Sequence, residues 1–206
     1  MLNAWLLSSA VIGYFLGALP FGYLVARAHG VDIFKAGSGN PGATNVKRVL
    51  GAKAGNTVFA LDAVKGAVAA GWPLLPFIAV PDARMAGLVG VIAAVLGHSF
   101  SVFTKFKGGK GVATAAGGLV VLIPIACLVG GAVWLLTFFT TRYVSLGSIL
   151  AAVAVPATSW LRGNPLSLNL VATALGLFVI VRHRENIKRL LAGTESRFVK
   201  KTAPKP

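Results

Sequence analysis

The sequence has few acidic residues and almost no cysteine. Five of its 206 residues are Asp or Glu, against 20 Lys and Arg. The single cysteine, Cys127, excludes an internal disulfide. The chain also lacks His-x-x-x-x-Asp, His-Glu-x-x-His, Gly-x-Ser-x-Gly and any cysteine–histidine metal spacing. A zinc site or a standard hydrolase triad is therefore unsupported.

Long polar stretches are missing as well, because hydrophobic residues make up 56% of the chain and gather in apolar runs. Runs of this length with few charges are typical of membrane-spanning helices. They cover about residues 4–25, 57–76, 85–104, 112–123, 126–140, 146–162 and 166–182. No basic n-region precedes the first run, which is also longer than the apolar core of a signal peptide, and both features favour a true span.

The basic residues lie mostly on one side of the expected membrane. No charged side chain precedes Arg27. With the N-terminus outside and seven helices, 18 of the 20 basic residues are cytoplasmic or near the inner surface, and only Arg84 and Arg162 fall outside. Lys and Arg favour the cytoplasmic side, so this bias gives the orientation. A nucleic-acid binder would instead carry its basic face on a soluble domain, so no nucleic-acid partner is expected.

The sequence is compatible with two helix numbers. The fourth and fifth runs are short and meet near Pro124, which removes a helix donor and crowds the preceding turn. They form either one kinked span or a tight pair of half-length helices. A five-helix count keeps both termini in place but moves Arg142 outside. We expect an all-α, polytopic membrane bundle, most simply of seven helices, with the C-terminus cytoplasmic. Residues 1–197 form one domain, and residues 198–206 form a basic cytoplasmic tail.

The first polar island between the spans reads GSGNPGATNVKRVLG from Gly37. Asn40 is a good N-cap and Pro41 fits the first helical position, while Gly51 can close the helix. The pattern predicts a short helix over residues 41–50.

This island has the features of an anion site. Glycine on both sides of Ser38 lets the backbone approach a ligand closely. Free N–H groups at a helix start, a nearby hydroxyl and Arg48 two turns later all favour a negative group. Asn45 and Arg48 are three residues apart and share a helix face. The alternative is a capped connecting loop without a ligand.

The second island has Gly108, Gly109 and Gly111 around Lys110, followed by a helix. It is not a Walker A motif, because Thr104 stands where the first glycine should be and Gly111 where Ser or Thr should follow the lysine. Backbone amides beside lysines still attract phosphate. The alternative is basic anchoring to lipid headgroups.

Three ionisable residues lie within the apolar runs. His98 falls on the inner half of the third run, where it either makes an interhelical hydrogen bond or has a functional role. Asp62 and Lys65 are three residues apart in the second run and should pair or face a polar cavity.

The third island reads VRHRENIKRLLAGTE. His183, Asn186 and Arg189 recur every three residues, and Glu185 and Arg189 are spaced as an i,i+4 ion pair. Glu195 either belongs to a site or balances nearby cations.

These islands, in this order, resemble the bacterial membrane acyl-phosphate:glycerol-3-phosphate acyltransferases. The match runs through most of the chain. It rests on GSGNPGATNVKR, DAVKG, GHSFSVFTKFKGGKGVAT, RYVSLGS and HRENIKRLLAGTE. One motif would be weak evidence, but five in order between spans argue against chance.

The resemblance implies that the protein moves an acyl group from fatty acyl phosphate to the 1-hydroxyl of sn-glycerol 3-phosphate, giving lysophosphatidic acid and phosphate. It implies a multi-pass enzyme of phospholipid synthesis in the bacterial inner membrane, with a seven-helix fold. It implies no metal, coenzyme A or other cofactor. The expected partners are the two substrates and membrane lipid.

The resemblance assigns Ser38 and Arg48 to the first functional motif and residues 108–114 to acyl-phosphate binding. It assigns His183, Asn186 and Glu195 to the third motif. The expected catalytic residues are Ser38, Arg48, His183 and Asn186. The expected substrate-binding residues are Gly39, Asn40, Thr44, Asn45, Lys107, Gly108, Gly109, Lys110, Gly111, Thr114, Ser145 and Glu195.

Two mechanisms and two rival functions are compatible with these residues. Because an acyl phosphate is already activated, we favour direct attack in a ternary complex, with His183 or the substrate's own phosphate as the base. Ser38 as a covalent nucleophile is the alternative, although no adjacent base activates it. A carrier for organophosphate anions would line its pathway with His98, Asp62 and Lys65. A lipid-binding scaffold would use the basic face.

Overall fold

The computed structural model describes residues 4–198, and over that range the chain is helical with no β-strand. The described chain forms ten α-helices, numbered here in order: α1 Ala4–Ala18, α2 Phe21–Ala28, α3 Ala43–Leu50, α4 Ala52–Gly71, α5 Ala83–Ser99, α6 Val112–Leu122, α7 Pro124–Thr141, α8 Val144–Leu161, α9 Leu166–Arg182 and α10 Arg184–Leu191. Short 3-10 turns follow α4 at Trp72–Leu74 and α5 at Val102–Thr104. Of the expected basic tail, all but Phe198 lies outside the described residues.

Several of these helices are long and apolar enough to cross a membrane. Within residues 4–198 the segments Ala4–Ala28, Ala83–Thr104, Pro124–Thr141 and Val144–Leu161 meet that requirement separately. Helices α9 and α10 meet it only as a pair, which is bent by 57°. Together with the all-helical chain, these segments confirm the expected multi-pass helical membrane bundle.

The break near Pro124 separates two helices. Ile123, with φ −138° and ψ 63°, ends α6, and Pro124 takes the first position of α7. Proline suits that position because its missing N–H would have no partner there. Of the two helices, only α6 is short, at 11 residues, whereas α7 has 18. The fifth run was therefore predicted too short.

Small residues bring the helices of one half of the bundle together. Helix α1 packs along α5, and α4 packs along α6. A Cβ built on Gly17 of α1 would lie 2.0 Å from Ala94 O, and one on Gly66 of α4 would lie 2.0 Å from Thr114 O. Such close backbone approach is a usual way for membrane helices to associate. Helices α7, α8 and α9 form the other half, with α8 between its two neighbours.

A small apolar core holds α3 against the bundle. It consists of Ala26, Ile33, Val46, Ala54 and Val58, contributed by α2, the following loop, α3 and α4. Because α3 has only eight residues, its position depends on this packing more than on its own helical propensity.

The start of α3 differs from the prediction. Gly42 is its N-cap, so the helix begins two residues later than expected. Asn40 Oδ1 instead accepts a hydrogen bond of 2.8 Å from Gly42 N, closing a local turn. The predicted end is confirmed, because Gly51 follows the last helical residue with φ 92°.

Candidate active site

The loop at residues 37–39, the Ser38 loop, is held by Asn45 of α3. Asn45 is buried, its Oδ1 accepts from Ser38 N at 2.9 Å, and its Nδ2 donates to Ala36 O at 3.0 Å. Both ends of its amide are thus used by the backbone. Asn45 thereby positions the Ser38 loop, and its contact with substrate stays a prediction. Ser38 itself is exposed, and its Oγ makes no hydrogen bond to any residue within 4–198.

A buried carboxylate organises the third island. Glu195 Oε1 accepts from Ser145 Oγ and from Asn186 Nδ2, each at 2.7 Å, and Oε2 accepts from Arg189 Nε at 2.7 Å. Burial alone would raise the pKa of Glu195, but these three hydrogen bonds hold it below its ordinary value. Glu195 is thus a charged anchor that fixes the neighbouring polar side chains. The predicted pair of Arg189 with Glu185 is wrong: Glu185 pairs with Lys188 at 3.2 Å instead.

Lys110 joins the second island to this network. Its Nζ donates to Asn186 Oδ1, so Asn186 connects the lysine to Glu195. Burial lowers the pKa of Lys110 to about 8, and Glu195 opposes the shift while Arg189 adds to it. The ammonium therefore keeps its charge near neutral pH with part of its hydration removed, which strengthens its attraction for an anion.

Arg48 approaches the same network from α3. Its Nη2 donates to Ser196 O at 3.2 Å, and its Cζ lies 5.0 Å from the centre of the Phe198 ring. Burial lowers the pKa of Arg48, and Glu195 partly offsets that effect. Residues 194–198, the C-terminal segment, thereby reach α3, and Phe198 N also donates to Arg142 O at 3.0 Å.

His183, between α9 and α10, is a neutral imidazole in this setting. It is buried, and its Nδ1 lies 2.8 Å from Val179 O. Because a carbonyl only accepts, Nδ1 carries the proton and Nε2 keeps its lone pair. Burial, with nearby Lys110, lowers the pKa of His183 to about 4. Nε2 has no hydrogen-bond partner within the described chain.

An apolar cavity of about 580 Å³ lies between the two halves of the bundle. One face of α7 lines it with Cys127, Gly130, Gly131, Trp134, Leu135, Phe138 and Phe139. Thr44, Lys47 and Asn56 add polar groups where α3 meets α4. Phe198 also lines the cavity and contacts Arg48, so the cavity adjoins the cationic group.

The structure thus brings the three third-motif residues together with cations and a hydroxyl from other parts of the chain. Hydrogen bonds connect Asn186 and Glu195 to Lys110 and Ser145. His183 and Arg48 lie close enough to Glu195 to interact with its charge. The backbone of Gly108, Gly109 and Gly111 stays close to Lys110 by chain connectivity. Gly39 belongs to the Ser38 loop, Asn40 closes the turn beside it, and Thr44 faces the cavity.

Two predicted substrate-binding residues are not part of the group. Lys107 is exposed, and its side chain makes no contact with the network in the described chain. Thr114 is completely buried in α6, and its Oγ1 has no partner among residues 4–198.

The three ionisable residues of the apolar runs form a separate buried cluster. Lys65 Nζ lies 2.8 Å from Asp62 Oδ1, which confirms the ion pair, and His98 Nδ1 lies 3.5 Å from the same oxygen. None of the three lines the cavity. This arrangement does not favour the carrier hypothesis, which required them to face a pathway.

Sequence reasoning missed the cavity residues and Arg182. On α7, Trp134 and Phe138 are spaced like any helix face, and nothing in the sequence distinguishes a cavity from lipid. Arg182 looked like one more cytoplasmic cation, yet its Nη2 donates to Gly109 O at 2.8 Å and lies 3.3 Å from Gly108 O.

Comparison with known proteins gives one consistent result. A family model described as glycerol-3-phosphate acyltransferase matches residues 7–193. A glycerol-3-phosphate acyltransferase of Aquifex aeolicus is 44% identical over 192 residues, covering 91% of this chain and 96% of the relative. One from Syntrophotalea carbinolica is 49% identical over 190 residues, covering 90% and 93%.

Solved structures agree. The glycerol 3-phosphate form of PlsY, an integral membrane glycerol 3-phosphate acyltransferase, superposes with a TM-score of 0.87 at 42% identity, covering 94% of this chain and 96% of that chain. Its lysophosphatidic acid form gives a TM-score of 0.85 at the same identity. With the family match over nearly the whole length, the chain belongs to the glycerol-3-phosphate acyltransferase family of integral membrane enzymes.

Proposed function

We propose that the protein transfers a fatty acyl group from acyl phosphate to the 1-hydroxyl of sn-glycerol 3-phosphate, releasing lysophosphatidic acid and inorganic phosphate. One observation carries this proposal: the cationic Arg48 lies beside the apolar cavity, because Phe198 contacts its guanidinium and also lines the cavity. Arg48 and Lys110 suit phosphate groups, and the cavity suits the hydrocarbon tail of one substrate. A soluble metabolite and a lipid can thus meet at the membrane surface.

The cavity has the dimensions of a fatty acyl site. Its lining on α7 runs from Cys127 to Phe139. Those 12 steps, at about 1.5 Å each, cover about 18 Å along the helix. The tail would lie along this face with the acyl phosphate group near Lys110, and glycerol 3-phosphate would approach from the side of Ser38 and Arg48.

In the proposed reaction the 1-hydroxyl oxygen attacks the acyl carbon. The new ester bond forms, the bond from that carbon to the phosphate oxygen breaks, and phosphate leaves with the electron pair. Negative charge that develops on the carbonyl oxygen is stabilised by Lys110 and by the N–H groups of Lys110 and Gly111, which make no hydrogen bond in the described chain. Holding both substrates in line supplies the remainder of the rate enhancement.

We propose that a substrate phosphate accepts the hydroxyl proton. A phosphate monoester has its second pKa near 6, whereas that of His183 is about 4, so the imidazole is the weaker base. His183 then acts as a neutral hydrogen-bonding group through Nε2. Direct attack without a covalent intermediate is supported by Ser38, whose hydroxyl has no basic partner within residues 4–198.

We further propose that residues 1–197 form one domain of seven spans in the bacterial inner membrane, with the N-terminus outside. The contact of Phe198 with Arg142 supports this, because it brings the α7–α8 turn to the side where Arg48 lies. A five-span arrangement would put Arg142 on the opposite face. Cysteines at Lys53, Lys105, Thr141 and Gly193, introduced with Cys127→Ser, should all label from the cytoplasm. Labelling of Thr141→Cys only from the periplasm would reject seven spans.

The reaction is tested by incubating the purified protein with acyl phosphate and sn-glycerol 3-phosphate. We expect lysophosphatidic acid and phosphate in equal amounts, identified by mass spectrometry. Each single-substrate incubation is the control. An organophosphate carrier would instead move glycerol 3-phosphate into liposomes without making lipid, and a lipid scaffold would do neither.

A further inference from the structure

Phe198 bridges two helices at the end of the apolar cavity where α3 lies. On the α3 side, Lys47 Nζ is 5.9 Å and Arg48 Cζ is 5.0 Å from the centre of the Phe198 ring. On the α7 side, the ring meets Phe138 edge-on, with the two ring centres 6.2 Å apart. Both phenylalanines line the cavity, so together they form its wall beside the Arg48 guanidinium.

The backbone of the C-terminal segment fixes where this ring stands. Arg197 Nε donates to Tyr143 Oη at 2.8 Å, and Phe198 N donates to Arg142 O at 3.0 Å. Upstream, the Glu195 carboxylate accepts three hydrogen bonds. The segment is thus tied to the turn between α7 and α8, and the half-buried ring of Phe198 follows from that attachment.

Phe198 also continues a row of aromatic rings that begins inside the cavity. Trp134 stacks on Phe138 with the ring centres 5.2 Å apart, and its Nε1 donates to Ser148 Oγ at 3.3 Å. Phe138 in turn contacts Phe198, which contacts Arg48. The row therefore runs from the apolar lining to the cation, and Phe198 stands where the two meet.

An acyl phosphate needs protection from water because it is already activated. In the proposed function its tail fills the cavity, and its acyl carbon lies where the apolar lining meets the cations. A water oxygen that attacks this carbon forms a new carbon–oxygen bond, phosphate leaves with the electron pair of the broken bond, and one water proton passes to the phosphate. The acyl group is then lost as fatty acid. Closing a site against water prevents such side reactions.

We propose that Phe198 determines the acceptor: it closes the cavity wall beside Arg48, so that glycerol 3-phosphate and not water takes the acyl group. The inference rests on the proposed function and adds the choice between two acceptors to it. An apolar ring suits this role because it fills the space between α3 and α7 and offers water no hydrogen bond. Attraction between the ring and the cations of α3 helps to keep the wall closed.

The ratio of fatty acid to lysophosphatidic acid tests this role. Both products are measured by mass spectrometry in one incubation of the full-length protein with palmitoyl phosphate and saturating sn-glycerol 3-phosphate, after subtraction of hydrolysis without protein. Phe198→Ala should raise the ratio about tenfold, because water then reaches the acyl carbon beside the bound acceptor. Since unfolded protein forms neither product, partial misfolding leaves the ratio unchanged.

Water labelled with heavy oxygen identifies the atom that is attacked. Attack at the acyl carbon puts the label in the fatty acid, whereas attack at phosphorus puts it in the phosphate. We expect the label in the fatty acid that Phe198→Ala releases. Label in the phosphate alone would overturn the inference, because the opened wall would then not expose the acyl carbon.

Phe198→Leu and Phe198→Val complete a series of decreasing side-chain size. Leucine keeps most of the apolar wall, so its ratio should stay close to that of the wild type, with valine between leucine and alanine. Leucine also lacks a ring, so the series separates closure of the wall from the cation–π contact with Arg48. A flat ratio across the series would overturn the inference. Loss of both products in a Phe198→Leu protein that unfolds at the wild-type temperature would do the same.

Phe103→Ala is the matched control. Phe103 is 56% exposed, contacts Phe15 of α1 and does not line the cavity in the described chain. Its ratio should equal that of the wild type, and a rise as large as that of Phe198→Ala would overturn the inference. A wild-type protein that forms no lysophosphatidic acid from acyl phosphate would reject the proposed function. A wild-type protein that forms it, with an unchanged ratio in Phe198→Ala, would reject only the role of Phe198.

Discussion

Leucine in place of Gly131 should make the protein prefer shorter acyl chains. Gly131 lines the cavity on α7, and a Cβ built there would meet no other heavy atom within 4 Å. The new side chain takes space from the cavity without disturbing a packed contact. Gly130 differs, since its Cβ would lie 2.4 Å from Val155 Cγ2.

The size of the change in chain-length preference depends on how deep Gly131 lies in the cavity and on the lipid around the protein. Seven residues at about 1.5 Å each place Gly131 about 10 Å below Phe138, so only chains longer than that meet the leucine. Hydrophobic burial is a minor factor, because a tail expelled from the cavity enters lipid that is equally apolar. The main cost is overpacking, about 1–3 kcal/mol, which corresponds to a fall of about 5- to 150-fold in kcat/KM for a long donor.

Competition between octanoyl and palmitoyl phosphate for one enzyme sample measures the preference directly. Gly131→Leu should leave octanoyl transfer close to the wild-type rate and reduce palmitoyl transfer. Ala132→Leu is the control, because Ala132 is exposed on α7 and does not line the cavity. If both donors lose activity equally, the acyl chain does not occupy this cavity.

Three further outcomes are expected. Arg48→Lys should lower kcat/KM about ten- to a hundredfold in steady-state assays, because lysine cannot reproduce the fork that binds phosphate, and near-normal efficiency would remove Arg48 from the site. Glu195→Gln should destabilise the protein by about 1.5–3 kcal/mol in thermal unfolding above the ordinary glutamate pKa. Folding lowers the pKa of Glu195, so the stability advantage of the wild type should decline below the ordinary glutamate pKa and disappear as the pH falls through the lowered pKa of the folded protein. A difference in stability that does not depend on pH would contradict this. Acyl phosphate alone should leave the protein mass unchanged. An added acyl chain that is absent in Ser38→Ala would establish a covalent route instead.

The membrane helices and their order could be predicted from the sequence because hydropathy and proline report directly on them. Pro124 stops α6 since it cannot continue the hydrogen-bond ladder, and this effect is local. The start of α3 could not be predicted as well. Asn40 has the right chemistry for an N-cap, but its oxygen serves Gly42, and the tertiary position of the loop decides between the two.

The site was foreseen as a set of motifs and not as a set of contacts. The family resemblance assigned Glu195 and Asn186 to the third motif, but the partner of Arg189 could not be predicted because it depends on the chain turning back after α10. The charge of Arg182 was visible, whereas its direction toward Gly108 and Gly109 was not. Conversely, the sequence did not reveal that the backbone of residues 36–38 uses both the oxygen and the nitrogen of the Asn45 amide, because those contacts depend on how the loop folds back onto α3.

The C-terminal segment has a consequence for biosynthesis. Glu195 accepts hydrogen bonds from Ser145 and Asn186, and Ser196 accepts one from Arg48. Polar groups of earlier helices therefore reach their final positions only when residues 195 and 196 are present. A truncation just before Glu195 would keep all ten helices of the described chain but lose the contacts that fix Ser145, Asn186 and Arg48. We therefore expect such a truncated protein to insert into the membrane but to have no acyltransferase activity.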